Sequence, residues 1–226
     1  MASVGAQPSM DKPSSSRVMS RGFRSNVAIR MLDIVVASLA IIWLMPLLVL
    51  VALLVKSSDG KQILFAQPRI GRGGKMFRCL KFRTMVVDAE ARLAELLEND
   101  PVARAEWALD HKLKNDPRII PLGGFLRKWS LDELPQFFNV LRGDMSIVGP
   151  RPIVASEASR YGRYITTYHK NRPGITGLWQ ISGRNDVSYR RRIACDVVYT
   201  RSRSLLTDMR IIVMTAVVVL NARGSY

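Results

Sequence analysis

An apolar run from Ile34 to Val55, which contains no charged residue, constrains this chain more than any other feature. As a straight helix the run would be about 33 Å long, enough to cross the roughly 30 Å hydrocarbon core of a bilayer. It begins too late and is too long for a signal peptide, and no small-residue cleavage site follows it. The sequence therefore predicts a chain that is embedded in a membrane through this segment.

The topology of this segment depends on Pro46 and on the flanking charges. Proline removes a helical hydrogen bond and favours a kink. Residues 1–33 contain five Lys or Arg and residues 56–75 contain five more, so the positive-inside tendency places both ends on the cytoplasmic side. A re-entrant helical hairpin broken at Pro46 satisfies both ends. A kinked transmembrane helix stays open as the alternative, because such helices tolerate proline.

The charge balance indicates an anionic partner. Lys and Arg number 34 against 18 Asp and Glu, a formal net charge of +16. Nucleic acid, a lipid surface and a phosphorylated small molecule are the partners that such a balance favours. Two cysteines and two histidines give neither a disulfide framework nor a zinc cluster. A catalytic metal would more naturally be oxygen-ligated Mg²⁺.

The pattern divides the chain into a disordered basic tail at 1–28, a membrane helix at 29–56 and a membrane-associated domain at 57–226. The predicted fold class is α/β, mostly helical with a small β-hairpin. Strands are expected at Gln62–Gln67 and Met76–Phe82, joined by a glycine-rich turn.

Two further segments are predicted to be helical. Val86–Asn99 has the apolar spacing of an amphipathic helix. Ile211–Leu220 is apolar but too short to span a bilayer, and arginines flank it. It is predicted either to lie on the membrane surface or to form a buried core helix.

Two adjacent acids, Asp132 and Glu133, stand in a basic neighbourhood. Ser130 and Glu133 have the spacing of a capping box, which would give the pair a structural role at a helix start. Next to an anionic substrate, however, carboxylates repel unless a metal ion or a chemical task requires them. A helix start is expected to keep Asp132 ionised. Both interpretations are compatible with the local pattern.

Five motifs in one order resemble the bacterial sugar transferase family, the monotopic phosphoglycosyl transferases. They are the proline-containing apolar run, Lys81–Met85, Ser130–Gln136, Gly143–Pro152 and Arg172–Gly177. The resemblance covers nearly everything except the N-terminal tail. Within the family the chain is most similar to the short initiators of exopolysaccharide synthesis that move galactose phosphate onto undecaprenyl phosphate.

The resemblance implies a two-step transfer. Asp132 would attack the sugar-bearing phosphate of a UDP-sugar, UDP-galactose or UDP-glucose, and UMP would leave. Undecaprenyl phosphate would then take the sugar phosphate from the aspartate. Glu133 would assist as a general base or, with Asp132, hold Mg²⁺. Where the family often has serine before the helix-breaking proline, this chain has Met45, so Pro46 and the flanking charges would have to maintain the break.

The resemblance also implies a substrate-binding set and a location. The residues expected to contact phosphate or hold the uridine diphosphate are Lys81, Arg127, Arg151, Arg172 and Gly174. The protein would lie at the cytoplasmic face of a bacterial inner membrane, next to downstream glycosyltransferases, and would not bind nucleic acid. The alternative motivated by the charge alone is a membrane-anchored nucleic-acid-binding or regulatory protein, although no nucleic-acid module is recognisable.

Overall fold

A long N-terminal helix dominates the computed structural model, which describes residues 15–110, 113, 116–183 and 187–220. This helix, α1, covers Ser15–Asp59 and is continuous through Pro46. The break predicted at Pro46 is therefore not confirmed. Helix α1 begins at Ser15, within the segment 1–28 that was predicted to be a disordered tail, and residues 1–14 lie outside the described residues. The disordered tail stays a prediction.

Helix α1 is the one described helix long and apolar enough to cross a membrane. Its most apolar stretch has a mean hydropathy of 2.9, and only 22% of that stretch is buried against protein. Near the middle, Ile42 is 70% exposed and Trp43 is 84% exposed. Side chains of this kind need an apolar surrounding, and the described residues do not supply one. The helix thus fits membrane anchoring and not a soluble core.

The remaining helices and strands are short. In chain order they are β1 Leu64–Ile70, β2 Met76–Phe82, α2 Ala89–Asn99, α3 Pro101–Asp110, α4 Gly123–Lys128, α5 Gln136–Arg142, β3 Ser146–Val148, α6 Ala158–Tyr161, α7 Ile165–Tyr168, β4 Gly174–Thr176, α8 Leu178–Ile181, α9 Tyr189–Ser202 and α10 Leu205–Leu220. The described part of the chain is mostly helical with two small sheets, in agreement with the predicted mostly helical fold.

Strands β1 and β2 form an antiparallel hairpin that supports the candidate site. The prediction is confirmed for Met76–Phe82, whereas β1 begins later than expected and continues through Pro68 to Ile70. Phe65 lies opposite Lys81 and Gln67 lies opposite Cys79. Directly opposed side chains in an antiparallel pair share one face of the sheet, so Phe65 and Lys81 are neighbours on one face.

Strands β3 and β4 form a second, parallel pair. Gly174 begins β4, where its backbone approaches Gly149 so closely that a side chain at position 174 would collide with the backbone of Gly149. A glycine is therefore required there by packing. The pair is buried: Ser146, Ile147 and Val148 are all inaccessible to solvent.

Helix α1 is attached to the domain at both ends of its apolar run. Toward its N-terminal side, buried Asp33 accepts hydrogen bonds from Ser146 Oγ at 2.8 Å and from the Ile147 backbone N–H at 2.8 Å. Toward its C-terminal side, Val51 and Val55 pack in one core cluster with buried residues of β2 and α4, Phe82 and Leu126. Because Phe82 and Leu126 are neighbours of Lys81 and Arg127 in the chain, α1 and the candidate site share one hydrophobic cluster.

Helix α10 begins earlier than the predicted segment at Ile211. It buries Asp208 and Ile211 against the domain, yet Leu206 is 78% exposed and Val213 is 63% exposed. One side of α10 therefore packs in the protein core, and the side that faces outward is exposed although it carries apolar residues. Whether that outward side lies on the membrane surface stays a prediction.

Candidate functional site

The acid pair lies on a tight turn that begins at Ser130. Ser130 has φ 55° and ψ 23°, the only positive φ among the described non-glycine residues. Leu131–Glu133 then form a single 3₁₀ turn, and α5 begins only at Gln136. Ser130 makes no side-chain capping bond; the Glu133 N–H bonds to the Ser130 carbonyl at 3.2 Å. The capping box is therefore wrong, because a left-handed Ser130 does not have the extended conformation that a cap needs.

The turn brings both acids to Lys81 of β2. Lys81 Nζ lies 2.6 Å from Glu133 Oε1 and 3.6 Å from Asp132 Oδ2. The Asp132 side chain is 11% exposed, whereas that of Glu133 is 40% exposed. The more buried acid thus makes the weaker contact with the lysine, which leaves its carboxylate oxygens largely uncommitted.

Burial sets the acidity of Asp132. Desolvation raises the pKa of Asp132, nearby Glu133 raises it further, and the opposing attractions of Lys81 and Arg127 do not cancel the rise. The helix start that was expected to keep Asp132 ionised is not at this residue, because Asp132 lies on a 3₁₀ turn and α5 begins only at Gln136. A carboxylate that is poorly solvated and has a raised pKa is a better nucleophile once it is ionised.

The two cations nearest to the acid pair, Lys81 and Arg127, stay protonated for different reasons. Burial tends to lower the pKa of Lys81, but the attractions of Glu133 and Asp132 outweigh it, so the pKa is raised. Burial lowers the pKa of Arg127, although a guanidinium stays protonated at any physiological pH. Arg127 donates from Nε to Thr84 Oγ1 at 2.8 Å. That bond fixes the guanidinium beside the acid pair.

A cavity of about 750 Å³ opens over these groups. Its charged side contains Lys81, Arg127, Asp132 and Glu133, together with Ser130 and Arg118. Apolar residues of β1 and of the chain leading into α2 also line it, among them Phe65 and Val87, together with the acids Asp88 and Glu90. The volume is that of a small-molecule site. A phosphorylated ligand would meet cations at its charged end and hydrocarbon side chains around it.

The other predicted substrate residues do not line this cavity. The guanidinium carbon of Arg151 lies 5.5 Å from the ring centre of Trp179. Arg172 donates from Nε to the Gly143 carbonyl at 2.7 Å, and Gly174 lies in the buried β3–β4 pair. The structure thus brings together four of the predicted residues, Lys81, Arg127, Asp132 and Glu133, and positions the other three elsewhere.

Arg69 is a cation near the site that the sequence pattern did not single out. It donates to Gln67 Oε1 at 2.6 Å and to the Pro152 carbonyl at 3.0 Å. Gln67 lines the cavity, and the charge of Glu133 acts on Arg69. The signal that could have found it is strand alternation, because residues 65, 67 and 69 share one face of β1 with the residues opposite them.

The acid pair is compatible with Mg²⁺. Among the described residues, no group of three or more His, Cys, Asp or Glu side chains could hold a metal ion. Mg²⁺ is usually bound through only one or two carboxylates, with substrate phosphates and waters completing its shell. Asp132 and Glu133 meet that requirement only in the presence of a phosphate-bearing substrate.

Comparison with known proteins gives a consistent result. The family model described as "Bacterial sugar transferase" matches residues 24–222. An "Uncharacterized sugar transferase" of Haemophilus influenzae is 54% identical over 89% of this chain, which is 43% of that protein. The "Undecaprenyl-phosphate galactose phosphotransferase" of Salmonella typhimurium is 51% identical over 87% of this chain and 41% of its own length. The "Exopolysaccharide production protein ExoY" of Sinorhizobium fredii is 50% identical over 87% of both chains.

The matches differ in length. This chain spans about two fifths of the Haemophilus and Salmonella proteins and most of the Sinorhizobium protein. All of α1 from residue 24 onward, the cavity and α10 fall inside the matched range.

Proposed function

Because this chain belongs to the bacterial sugar transferase family, we propose that it transfers a sugar 1-phosphate from a UDP-sugar to undecaprenyl phosphate. The observation that carries the proposal is the position of Asp132. Its carboxyl group is buried, has a raised pKa and lies 3.6 Å from Lys81 Nζ. The cavity that contains it is also lined by Phe82, which packs with Val51 and Val55 of α1. Such a site can accept a water-soluble diphosphate and a membrane-bound phosphate in turn.

In the first step, a carboxylate oxygen of Asp132 attacks the sugar-bearing phosphorus of the UDP-sugar. The bond from that phosphorus to the bridging oxygen breaks, and UMP leaves with the electron pair. Lys81 and Arg127 would offset the negative charge that otherwise repels the carboxylate from the diphosphate. Covalent catalysis divides one difficult transfer into two easier ones.

In the second step, a phosphate oxygen of undecaprenyl phosphate attacks the phosphorus held on Asp132. The aspartyl oxygen–phosphorus bond breaks, which restores the Asp132 carboxylate and releases the lipid-linked sugar diphosphate. Glu133, bound to Lys81 at 2.6 Å, would hold the lysine beside the reacting phosphorus. Any proton on the incoming phosphate can pass to Glu133 acting as the base.

Asp132 and Glu133 would also hold Mg²⁺, together with the diphosphate of the substrate. When bound, this ion neutralises phosphate charge and orients the leaving group. Arg151, Arg172 and Gly174 lie outside the cavity; their assignment to the nucleotide half of the substrate rests on the family motifs, and Arg69 lies between that region and the cavity.

We propose the re-entrant topology for α1, with both ends at the cytoplasmic face of a bacterial inner membrane. Two findings support it: both ends of the apolar run pack on the same domain, and basic residues flank both. Since α1 is continuous through Pro46, re-entry would require the helix to bend at that residue, where proline favours a kink. The product would then pass to glycosyltransferases that lengthen the saccharide.

Galactose is the sugar favoured by the relatives. The Salmonella protein is named for galactose phosphate transfer, and its identity to this chain is 51%. Glucose differs from galactose only in the configuration of one hydroxyl group. We therefore propose UDP-galactose as the donor and compare it with UDP-glucose in the test below.

The test measures UMP release by the purified protein in lipid nanodiscs with MgCl₂ and each UDP-sugar. Before any acceptor is added, we expect UMP in an amount comparable to enzyme, and chelation of Mg²⁺ should abolish it. Mass spectrometry of the acid-quenched protein should find the sugar phosphate on Asp132. Asp132→Asn should release no UMP, because an amide is not a nucleophile for phosphorus.

Glu95→Gln provides the matched control, since Glu95 is an exposed acid on α2 outside the cavity. It should behave as the wild type. The two-step route would be refuted if UMP appeared only after acceptor was added, or if the adduct formed on another residue.

A further inference from the structure

The cavity has an apolar wall formed by Phe65 and Val87, both of which line it. Phe65 is 50% exposed and Val87 is 55% exposed. Leu64 also lines the cavity, but it precedes Phe65 in β1, and successive side chains of a strand lie on opposite faces. Two large apolar side chains with this exposure are not part of the packed core. Exposed apolar patches of this kind mark contacts with an apolar ligand or partner.

The wall adjoins the reactive groups directly. Phe65 on β1 lies opposite Lys81 on β2, and the two side chains share one face of the hairpin. Lys81 in turn lies 3.6 Å from Asp132. A ligand whose charged end reaches Lys81 therefore places its next few atoms against Phe65.

The wall also lies where the chain leaves the membrane helix. Helix α1 ends at Asp59, and Asp59 Oδ2 accepts a hydrogen bond from Arg83 Nη1 at 2.7 Å. Arg83 and Gln62 both line the cavity, and β1 begins at Leu64. Beneath this segment, Phe82 packs with Val51 and Val55. The apolar wall is therefore close in the chain to the segment that joins α1 to the hairpin.

Building on the proposed function, we propose that Phe65 and Val87 bind the first isoprene units of the acceptor lipid. A polyprenyl phosphate has an anionic head and a hydrocarbon tail joined directly to it. The cavity combines the same two features, because the cations Lys81 and Arg127 line it together with the apolar wall, and Phe65 is next to Lys81. A UDP-sugar offers no comparable hydrocarbon chain, so the wall serves the second substrate and the second step.

The test separates the two half-reactions in the full-length protein in nanodiscs. The variant Phe65→Ser/Val87→Ser removes the apolar wall at two exposed positions. UMP release without acceptor should stay within twofold of the wild type, which also shows that the variant is folded. The KM for undecaprenyl phosphate should rise at least tenfold, while the KM for the UDP-sugar should not change.

A matched control is Phe125→Ser/Val102→Ser. Phe125 is 54% exposed and Val102 is 70% exposed, and neither lines the cavity. This control should leave the KM for undecaprenyl phosphate unchanged. If it raised that KM equally, the effect would come from general membrane contact, and the proposal would be wrong.

Two further results would overturn the proposal. One is an unchanged KM for undecaprenyl phosphate in Phe65→Ser/Val87→Ser. The other is a raised KM for the UDP-sugar with a normal acceptor KM, which would assign the wall to the nucleotide. Absence of UMP release in the wild type would instead refute the proposed function itself, and this inference with it.

Discussion

Replacing Asn139 by alanine should weaken both the fold and the first half-reaction. Asn139 lies on α5 and is fully buried. Its Oδ1 accepts from the Leu80 N–H at 2.9 Å, and its Nδ2 donates to the Arg78 carbonyl at 2.8 Å. These bonds attach α5, which follows the acid pair, to β2, which carries Lys81. No other side chain makes this double contact among the described residues.

The magnitude follows from what alanine leaves behind. Asn139→Ala removes both side-chain partners, so the Leu80 N–H and the Arg78 carbonyl become unpaired at a half-buried location. Each unpaired buried polar group costs about 1–3 kcal/mol. Taking the lower part of that range for two partly buried groups, the free energy of unfolding should fall by about 3 kcal/mol. For a domain of this size that is a fall in Tm of roughly 6–12 °C.

Activity should fall as well, because β2 would no longer be fixed relative to the acid turn. A displacement of about 1 Å at reacting groups can cost roughly a hundredfold in rate. The assay is thermal unfolding in nanodiscs, followed by UMP release per folded enzyme. Asn99→Ala is the matched control, because Asn99 is exposed and its Nδ2 bonds only to the Glu95 carbonyl of its own helix.

A Tm for Asn139→Ala within about 2 °C of the Asn99→Ala value would contradict this prediction, since two unpaired backbone groups should cost more than that. A large fall in Tm with normal UMP release per folded enzyme would contradict the positioning role alone.

Two other predictions concern charge and topology. The Asp132→Asn protein should be more stable than the wild type at neutral pH, with a difference that vanishes below the ordinary aspartate pKa of 3.8. Burial raises the native pKa of Asp132, so the native wild type binds more protons than its unfolded chain and loses stability as the pH rises. The free energies of unfolding of Asp132→Asn and of the wild type, measured at about pH 4 and about pH 8, check the sign. A difference between the two proteins that is the same at both pH values would contradict the prediction. For topology, Ser25→Cys and Lys61→Cys in a Cys195→Ser background should both resist a membrane-impermeant maleimide added to spheroplasts. Labelling of either one from outside would favour a spanning helix.

The local sequence pattern was sufficient to predict strand β2 of the hairpin. It did not predict the backbone conformation of the turn that carries Asp132 and Glu133. Met76–Phe82 alternates and follows a glycine-rich turn, and the strand is present as predicted. At Ser130, in contrast, the spacing to Glu133 fits a cap equally well whether or not the backbone is extended. Packing decides the matter: Leu131 and Leu134 lie against the core cluster that contains Leu48 and Leu126, and Ser130 takes up a left-handed conformation instead.

The sequence alone predicts a long apolar helix, an anionic partner and an acid pair with family motifs around it. These are properties of composition, spacing and order, which exist before folding. Three properties of the site depend on the folded structure. Lys81, distant in sequence, lies 2.6 Å from Glu133, and burial raises the pKa of Asp132. Arg151 and Arg172 lie outside the cavity. The physical reason is that burial and Coulomb attraction depend on distances between segments, and sequence spacing does not specify those distances.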